Sequence, residues 1–462
     1  MEEFDFLLIY EHKVRELENL CLMKYELDRR GYKTKIVYID DAKNGMADTP
    51  VMHAKVVCTM ACYDNYTLFW HVKNFVKFDK VLDLQWENIV YEKDEQREDA
   101  YKNFWDIGKE VPHIAWGMQN VRRLKNVAHL EDRNIKLTGH VGMDFLRSPL
   151  SRYYTSREEL FRKHNLPTDK KVVLFASPYY GDNLPQSYID GMCRAFGDDW
   201  PVYYDFMLRS QEIVLDWFER ICKEYPDTVI VFRPHPGHPS SVALKMAEKY
   251  ENFKVIAQDS VKQWIVACDK IYTGNSSVVV EAFFAQKMCQ LLFPLPTTKG
   301  FELKLITDSK KITDYEGFKA SFLAGEEEFP TPKESIEDIY LIDWETPNYV
   351  KFADAAEEIL KDNTYTLSKK QIASFREESS KVRFLRRLMK IKPAYAMYLK
   401  LIENENIKWS FLEKQRALRA ESHRIATEAE TSHAHELTSE EEIEKIISRI
   451  KYALEGVDDK EN

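Results

Sequence analysis

The strongest constraint on the fold of this chain is an alternation. Short runs of apolar, β-branched and aromatic residues are each followed by a stretch with helical spacing. "FDFLLIY" (4–10), "KTKIVYI" (33–39), "AKVVCTM" (54–60), "DKVLDLQW" (79–86), "VPHIAWG" (111–117) and "NIKLTGH" (134–140) read as buried strands. Over 13–30, Leu17, Leu20, Cys21, Tyr25 and Leu27 form one apolar face, and Gly31 follows as a C-cap. Strand, helix, strand in repeated order predicts a parallel sheet with crossover helices. The pattern restarts with a helix over 155–166, signalled by Ser156 at its N-cap. Strands are expected at 170–177, 227–234, 253–258, 269–274 and 288–294, with helices at 205–224, 240–250, 260–268 and 277–286. The chain therefore divides into an N-terminal Rossmann-like unit (1–150), a second one (151–365) and a helical, charge-rich extension (366–462).

A chain of 462 residues is too long for one ordinary core. With 44% hydrophobic, 31% charged and 13% aromatic residues, it is ordered over most of its length. A net charge of -10 argues against generic polyanion binding by the whole molecule, so nucleic acid is not an expected partner. Seven scattered cysteines fit reduced core thiols and a cytoplasmic setting. Cys58 and Cys62 lie four apart with no second pair to complete a zinc set, so core packing is the expectation and no metal site is assigned. The opening "MEEFDFLLIY" lacks the basic and apolar regions of a signal peptide. No window reaches the ~18 uninterrupted apolar residues of a membrane span.

Chemistry gathers at strand ends. "RPHPGHP" (233–239) directly follows "TVIVF" (228–232). Pro234 and Pro236 lack N–H donors and fix φ, so the strand stops there and leaves Arg233 and His235 on a stiff, extended corner. That corner is either a plain turn with a surface histidine or a ligand site, since ligands of open α/β sheets bind at this edge. In "CDKIYTGNSSVVVEAFFAQ" (268–286) a strand ends at Gly274, and Asn275, Ser276 and Ser277 open a helix. Free N–H groups and the positive helix end attract phosphate, and Gly274 permits close approach. Glu281, one turn inside, suits ribose hydroxyls. The same residues also serve as an ordinary helix cap. "FASPYYGDN" (175–183) adds Ser177 for a phosphate or glycosyl group and Tyr179 and Tyr180 for stacking, or is a simple connecting loop. Together these segments predict one nucleotide-phosphate site built from Ser177, Arg233, His235, Gly274, Asn275, Ser276, Ser277 and Glu281.

Two Rossmann-like halves about a cleft form the GT-B arrangement of many nucleotide-sugar transferases. A strand ending in "RPHP" followed by strand–"GNSS"–helix–Glu resembles the paired HP and Ser motifs of capsule and cell-wall transferases. These include sialyl- and polysialyltransferases, Kdo transferases and CDP-glycerol glycerophosphotransferases, which share a CMP or CDP leaving group. The resemblance implies that His235, with Ser276 and Ser277, meets the phosphate of a cytidine nucleotide. The segment "YEHKVRELENLCLMKYELDRRGYKTKIVYID" and "LTGHVGMDFL" (137–146) are similar to the opening and closing segments of the N-terminal domain in surface-carbohydrate biosynthesis proteins. The resemblance spans residues 1–365.

A hydroxyl acceptor needs a base. Candidates at strand ends of the N-terminal half are Glu11, His12 and Glu16, with Gln85, Glu87, His140 and Asp144 behind them. A solvated helix face is the alternative for Arg15, Glu16 and Glu18. "KVRFLRRLMKIK" (381–392) interleaves basic and apolar residues, and so either lies on an anionic membrane surface or packs against the core. The expectation is a cytoplasmic, metal-independent glycosyltransferase of GT-B type. It would move a Kdo-like or sialic-acid-like sugar from a CMP donor to a surface polysaccharide or lipid-linked acceptor, at the inner face of the membrane. The alternatives are a CDP-glycerol or polyol-phosphate transferase, a UDP-sugar 2-epimerase-like enzyme and a non-catalytic assembly subunit. No cofactor beyond the donor is expected.

Overall fold

The computed structural model describes residues 1–39, 52–63, 76–86, 90–92, 107–182, 184–235, 240–374 and 437–456, with positions 68, 72, 393, 397, 400 and 401. Two parallel sheets carry the fold. The first contains β1 (Glu2–Tyr10), β2 (Thr34–Tyr38), β3 (Met52–Thr59), β4 (Val76–Asp83), β5 (His113–Ala115) and β6 (Ile135–Leu137), in the order β2-β1-β3-β4-β5-β6. The second contains β7 (Lys171–Ala176), β8 (Thr228–Arg233), β9 (Phe253–Val255), β10 (Lys270–Thr273) and β11 (Cys289–Leu291), in the order β11-β10-β7-β8-β9. Two Rossmann-like parallel α/β sheets with a helical C-terminal segment make the fold GT-B-like. The chain forms two compact units: Met1–Leu84 with Trp105–Val111 and Glu358–Glu444, and Gln85–Phe104 with Pro112–Glu357 and Lys445–Asn462.

In the first unit, β1 pairs with β2 on one side and β3 on the other, so Phe6, Leu7, Leu8, Ile9 and Tyr10 are fully buried. A strand covered on both faces reads as a continuous apolar run rather than an alternation. The helix Lys13–Arg29 buries Leu17, Leu20 and Cys21 and ends just before Gly31, whose φ of +89° is the left-handed geometry a C-cap needs. Lys80 is a buried lysine inside β4. Its ammonium donates to the carbonyls of Ile359, Leu360 and Asp362 at 2.9, 2.7 and 2.9 Å, satisfying the open carbonyls where the helix Asn348–Lys361 ends.

In the second unit, Phe175, Phe218, Phe232, Phe253 and Phe318 pack into one core with Trp200 and Tyr272. The long helix Trp200–Glu224 supplies Trp217, Phe218 and Ile221 to it. Ser156 caps Arg157–Lys163 through a reciprocal pair with Glu159, as its position predicts.

Several boundaries differ from the pattern-based expectation. The strand expected at 79–86 runs from Val76 to Asp83. Gln85, at φ 51°, turns the backbone out of extended geometry, although the apolar pattern continues to Trp86. The segment expected as a strand at 134–140 keeps only Ile135–Leu137, because Gly139 at φ +80° leads into a 3-10 turn over Val141–Leu146. The helix Gln186–Phe196 precedes the long helix, and Tyr315–Leu323, Lys333–Ile339 and Asn348–Lys361 follow β11. The amphipathic segment at 441–455 forms a helix over Glu440–Glu455 that buries Ile443, Ile450 and Ala453.

Candidate functional site

In the second unit the C-terminal ends of β7, β8 and β10 lie side by side. Ala176 aligns with Arg233 across β7 and β8, and Thr273 with Ala176 across β10 and β7. The Ser177 amide donates to the Arg233 carbonyl at 2.9 Å, and the Thr273 hydroxyl to the Ala176 carbonyl at 2.7 Å. This extends the ladder one step beyond the strands, so the three motif segments emerge from one edge. A Cβ added at Gly274 would sit 3.0 Å from Pro178 Cγ and 3.3 Å from the Leu292 carbonyl oxygen. Glycine thus lets the "GNSS" turn nest against the loop after β7, where a larger residue would press the Pro178 ring and the Leu292 carbonyl aside, a packing reason beside the expected ligand approach.

The side chains at this edge divide into those held by protein and those presented at the surface. Asn275 donates from Nδ2 to the Tyr203 hydroxyl (2.9 Å) and the Phe301 carbonyl (2.7 Å), and its Oδ1 accepts from the Leu303 amide at 2.9 Å. It ties the turn to two distant segments. The Arg233 guanidinium donates to the Gln258 carbonyl at 2.8 Å and to that of Asp259. Asp259 adopts a φ of 63°, and its carboxylate accepts from Lys163 at 2.7 Å and meets His164 Nε2 at 2.6 Å. Burial lowers the Arg233 pKa to about 10, against the opposing pull of the Asp259 and Glu281 carboxylates. Glu281 is pushed upward by burial, with Lys262 and Arg233 drawing it back. Ser276 Oγ accepts from the Val278 amide at 3.3 Å and so caps Val278–Phe284, while Ser277 makes no side-chain cap. Both serines are half-buried.

His235 is half-buried, and its ring packs against Tyr180 with centroids 4.8 Å apart and planes at 32°. The loop bearing Tyr180 is fixed at further points. Ser177 Oγ accepts from the Tyr179 amide at 3.2 Å, and the Tyr204 hydroxyl donates to the Gly181 carbonyl at 2.7 Å. Asp182 accepts from the Ser241 amide at 3.1 Å and from its hydroxyl, at the start of the helix Ser241–Lys249. Tyr179 is a buried core residue, so of the two tyrosines only Tyr180 borders the histidine. Pro236 to Pro239 lie outside the described residues.

In the first unit, Glu11 and His12 are exposed where β1 meets its helix, and Glu16 is buried. The Glu16 carboxylate accepts from the backbone N–H groups of Glu11 at 2.9 Å and His12 at 3.4 Å, and from Arg15 at 3.3 Å. Burial raises its pKa, and those donors and the Arg15 charge act against the rise. Glu16 therefore organises the turn that displays Glu11 and His12. Glu87 and residues 381–392 lie outside the described residues. Cys58 and Cys62 are both buried thiols. Among the described residues, no helix is long and apolar enough to cross a membrane.

The protein partners of Arg233 and Asn275 and the anchoring of Asp182 carry no local sequence signal, because the paired groups are remote in the chain. The left-handed Asp259 carried no glycine or asparagine signal.

No protein-family model matches the chain, and no curated protein matches it in sequence. Among solved structures it is similar to a variant of the wall teichoic acid polymerase TagF soaked with CDPG, at 14% identity over 77% of this chain and 89% of that one, with a TM-score of 0.45. It is also similar to a putative UDP-N-acetylglucosamine 2-epimerase from Listeria monocytogenes (12% identity, 79% and 98% covered, TM-score 0.45). A third is S. aureus MnaA in complex with UDP (12% identity, 78% and 95% covered, TM-score 0.43).

Proposed function

We propose that the chain is a nucleotide-sugar-dependent glycosyltransferase acting in surface-carbohydrate synthesis. Its donor is a cytidine nucleotide carrying a Kdo-like or sialic-acid-like sugar, and its acceptor is a surface polysaccharide or lipid-linked glycan. The observation that carries the reading is the shared edge of β7, β8 and β10, which gathers Ser177, Arg233, His235 and the Gly274–Ser277 turn. His235 and the hydroxyls of Ser276 and Ser277 contact the leaving phosphate, and Arg233 supplies a nearby positive charge. Asn275 and Gly274 shape the turn, and Glu281 receives ribose hydroxyls. Leaving-group charge is then met by fixed donors rather than by a metal ion. On the acceptor side, a base from the Glu11, His12 and Glu16 group takes the hydroxyl proton. The enzyme works in the cytoplasm, with residues 381–392 as its contact to an anionic membrane.

A thermal-shift panel of CMP, CDP, UDP and GDP tests the reading. CMP or CDP raises the melting temperature of the wild type, and His235→Ala removes the rise. No shift with either cytidine nucleotide overturns it. A shift with UDP, joined to turnover of a UDP-sugar without acceptor, reassigns the site to a 2-epimerase.

A further inference from the structure

Away from the strand-end motifs, the second unit holds a box of rings around His140. Trp116 follows β5, His140 follows β6, and Tyr340 caps the helix Lys333–Ile339. The Trp116 and His140 centroids are 4.2 Å apart at 83°, Trp86 and His140 5.7 Å at 65°, and Trp116 and Tyr340 5.6 Å at 33°. Trp116 and Tyr340 are buried. The turn that presents His140 is itself built. Asn348 Nδ2 donates to the His140 carbonyl at 3.0 Å, and a Cβ at Gly139 would fall 2.4 Å from Asn348 Oδ1.

Two polar atoms in this box are shielded from solvent and have no hydrogen-bond partner: the Trp86 indole nitrogen Nε1 and His140 Nδ1. Buried polar atoms are nearly always paired, so two orphans on rings that meet in one aromatic box call for a ligand. Burial, aided by the charge of Lys262, lowers the His140 pKa to about 3, so the ring is neutral and one nitrogen accepts. The indole nitrogen only donates. A donor and an acceptor together match a hydroxyl, which accepts one hydrogen bond and donates another. They do not match a phosphate, which offers no proton to the imidazole. The aromatic walls suit the C–H face of a ring.

We infer that Trp86, Trp116, His140 and Tyr340 form a binding site for a sugar ring, one hydroxyl of which accepts from Trp86 Nε1–H and donates to His140 Nδ1. The box adjoins the helix that follows the "GNSS" turn: the Phe284 ring of Val278–Phe284 lies 6.5 Å from that of Tyr340. This deepens the transferase reading, and it rests on that reading only for the source of the sugar, which is either the donor's glycosyl unit or the acceptor glycan.

Calorimetric titrations of the full chain with CMP, CMP-sialic acid and a free hexosamine disaccharide test the inference, in wild type, Trp86→Phe and His140→Phe. Trp86→Phe keeps an aromatic wall and deletes only the N–H. The expected result is a loss of about tenfold or more in sugar affinity in both variants, with CMP binding unchanged. A loss confined to CMP-sialic acid places the donor sugar in the box, and a loss confined to the disaccharide places the acceptor there. Sugar binding equal to wild type in both variants overturns the inference, above all if Trp86→Phe also melts higher, as removal of a mere orphan donor would make it. Equal loss of CMP binding overturns it too, because the rings would then only support the fold. A wild type that ignores CMP but binds the disaccharide, with that binding lost in Trp86→Phe, sinks the nucleotide reading and leaves the box standing.

Discussion

The end of β1 and the ends of β8 and β10 carry similar residues, yet they are organised in opposite ways. After β1, the buried residue is Glu16, and it serves the exposed Glu11 and His12 by accepting their backbone N–H groups. After β8 and β10, the long polar side chains are consumed by distant protein groups: Arg233 by the carbonyls of Gln258 and Asp259, and Asn275 by Tyr203, Phe301 and Leu303. The other side chains at that edge are short or aromatic: His235 packs against Tyr180, and Ser276 Oγ accepts from the Val278 amide. The first region is a local turn that fixes itself. The second is a junction of remote segments, held together by Arg233 and Asn275.

The largest effect that separates these regions is kinetic. Replacing the displayed pair, in Glu11→Gln/His12→Ala, is expected to lower the transfer rate by about 100-fold or more, the usual scale for general acid–base groups, while the melting rise with CMP stays as in wild type. A lost nucleotide shift in this variant would break the distinction between the two regions. Next, Arg233→Met strands the two carbonyls it serves, and is expected to cost roughly 3 kcal/mol in denaturant unfolding. An unaltered midpoint would mean the guanidinium is free for ligand. Asn275→Ala leaves the Leu303 amide and the Phe301 carbonyl without their partner and is expected to cost about 2 kcal/mol by the same measurement.

A finer pair of tests uses His140 and Asp144, which titrate in opposite senses. The folded His140 pKa lies below its unfolded value, so the unfolded chain binds the extra proton as pH falls. Stability present above pH ~6.5 is then lost on acidification, by about 2 kcal/mol between pH 6.5 and 5. His140→Phe is expected to flatten that limb. Asp144 accepts from the Tyr349 amide at 2.8 Å, yet burial pushes its pKa up to about 6 against the amides of Tyr349 and Asn348 and the Arg147 charge. Its contribution is complete below pH ~4 and is lost as pH rises through 6. Asp144→Asn is expected to flatten this limb, by about 2 kcal/mol in urea unfolding taken between pH 4 and 7.

The strands of both sheets were legible because a strand buried on both faces, such as Phe6–Tyr10 or Val229–Phe232, leaves an unbroken apolar run. The Ser156 cap was legible because it is local. Strand ends were read less well where a single left-handed residue, Gln85 or Gly139, ended extended geometry inside an apolar pattern. The role of Asn275 was not legible, since its partners lie 72, 26 and 28 residues away. Gly274 was readable as a close-approach position, but not as one that faces the Pro178 ring. The box around His140 escaped for the same reason: Trp86, Trp116 and Tyr340 come from separate elements, and nothing in the spacing of any one of them signals the others.

We propose that His235, at the joined ends of β7, β8 and β10, meets a nucleotide phosphate, and side-chain NMR of the histidine rings during a CMP titration tests this directly. The His235 ring resonances are expected to move saturably, while those of His113, fully buried beside Gln85, stay in place. A His235 signal unmoved at CMP concentrations that saturate any other change in the spectrum would contradict it.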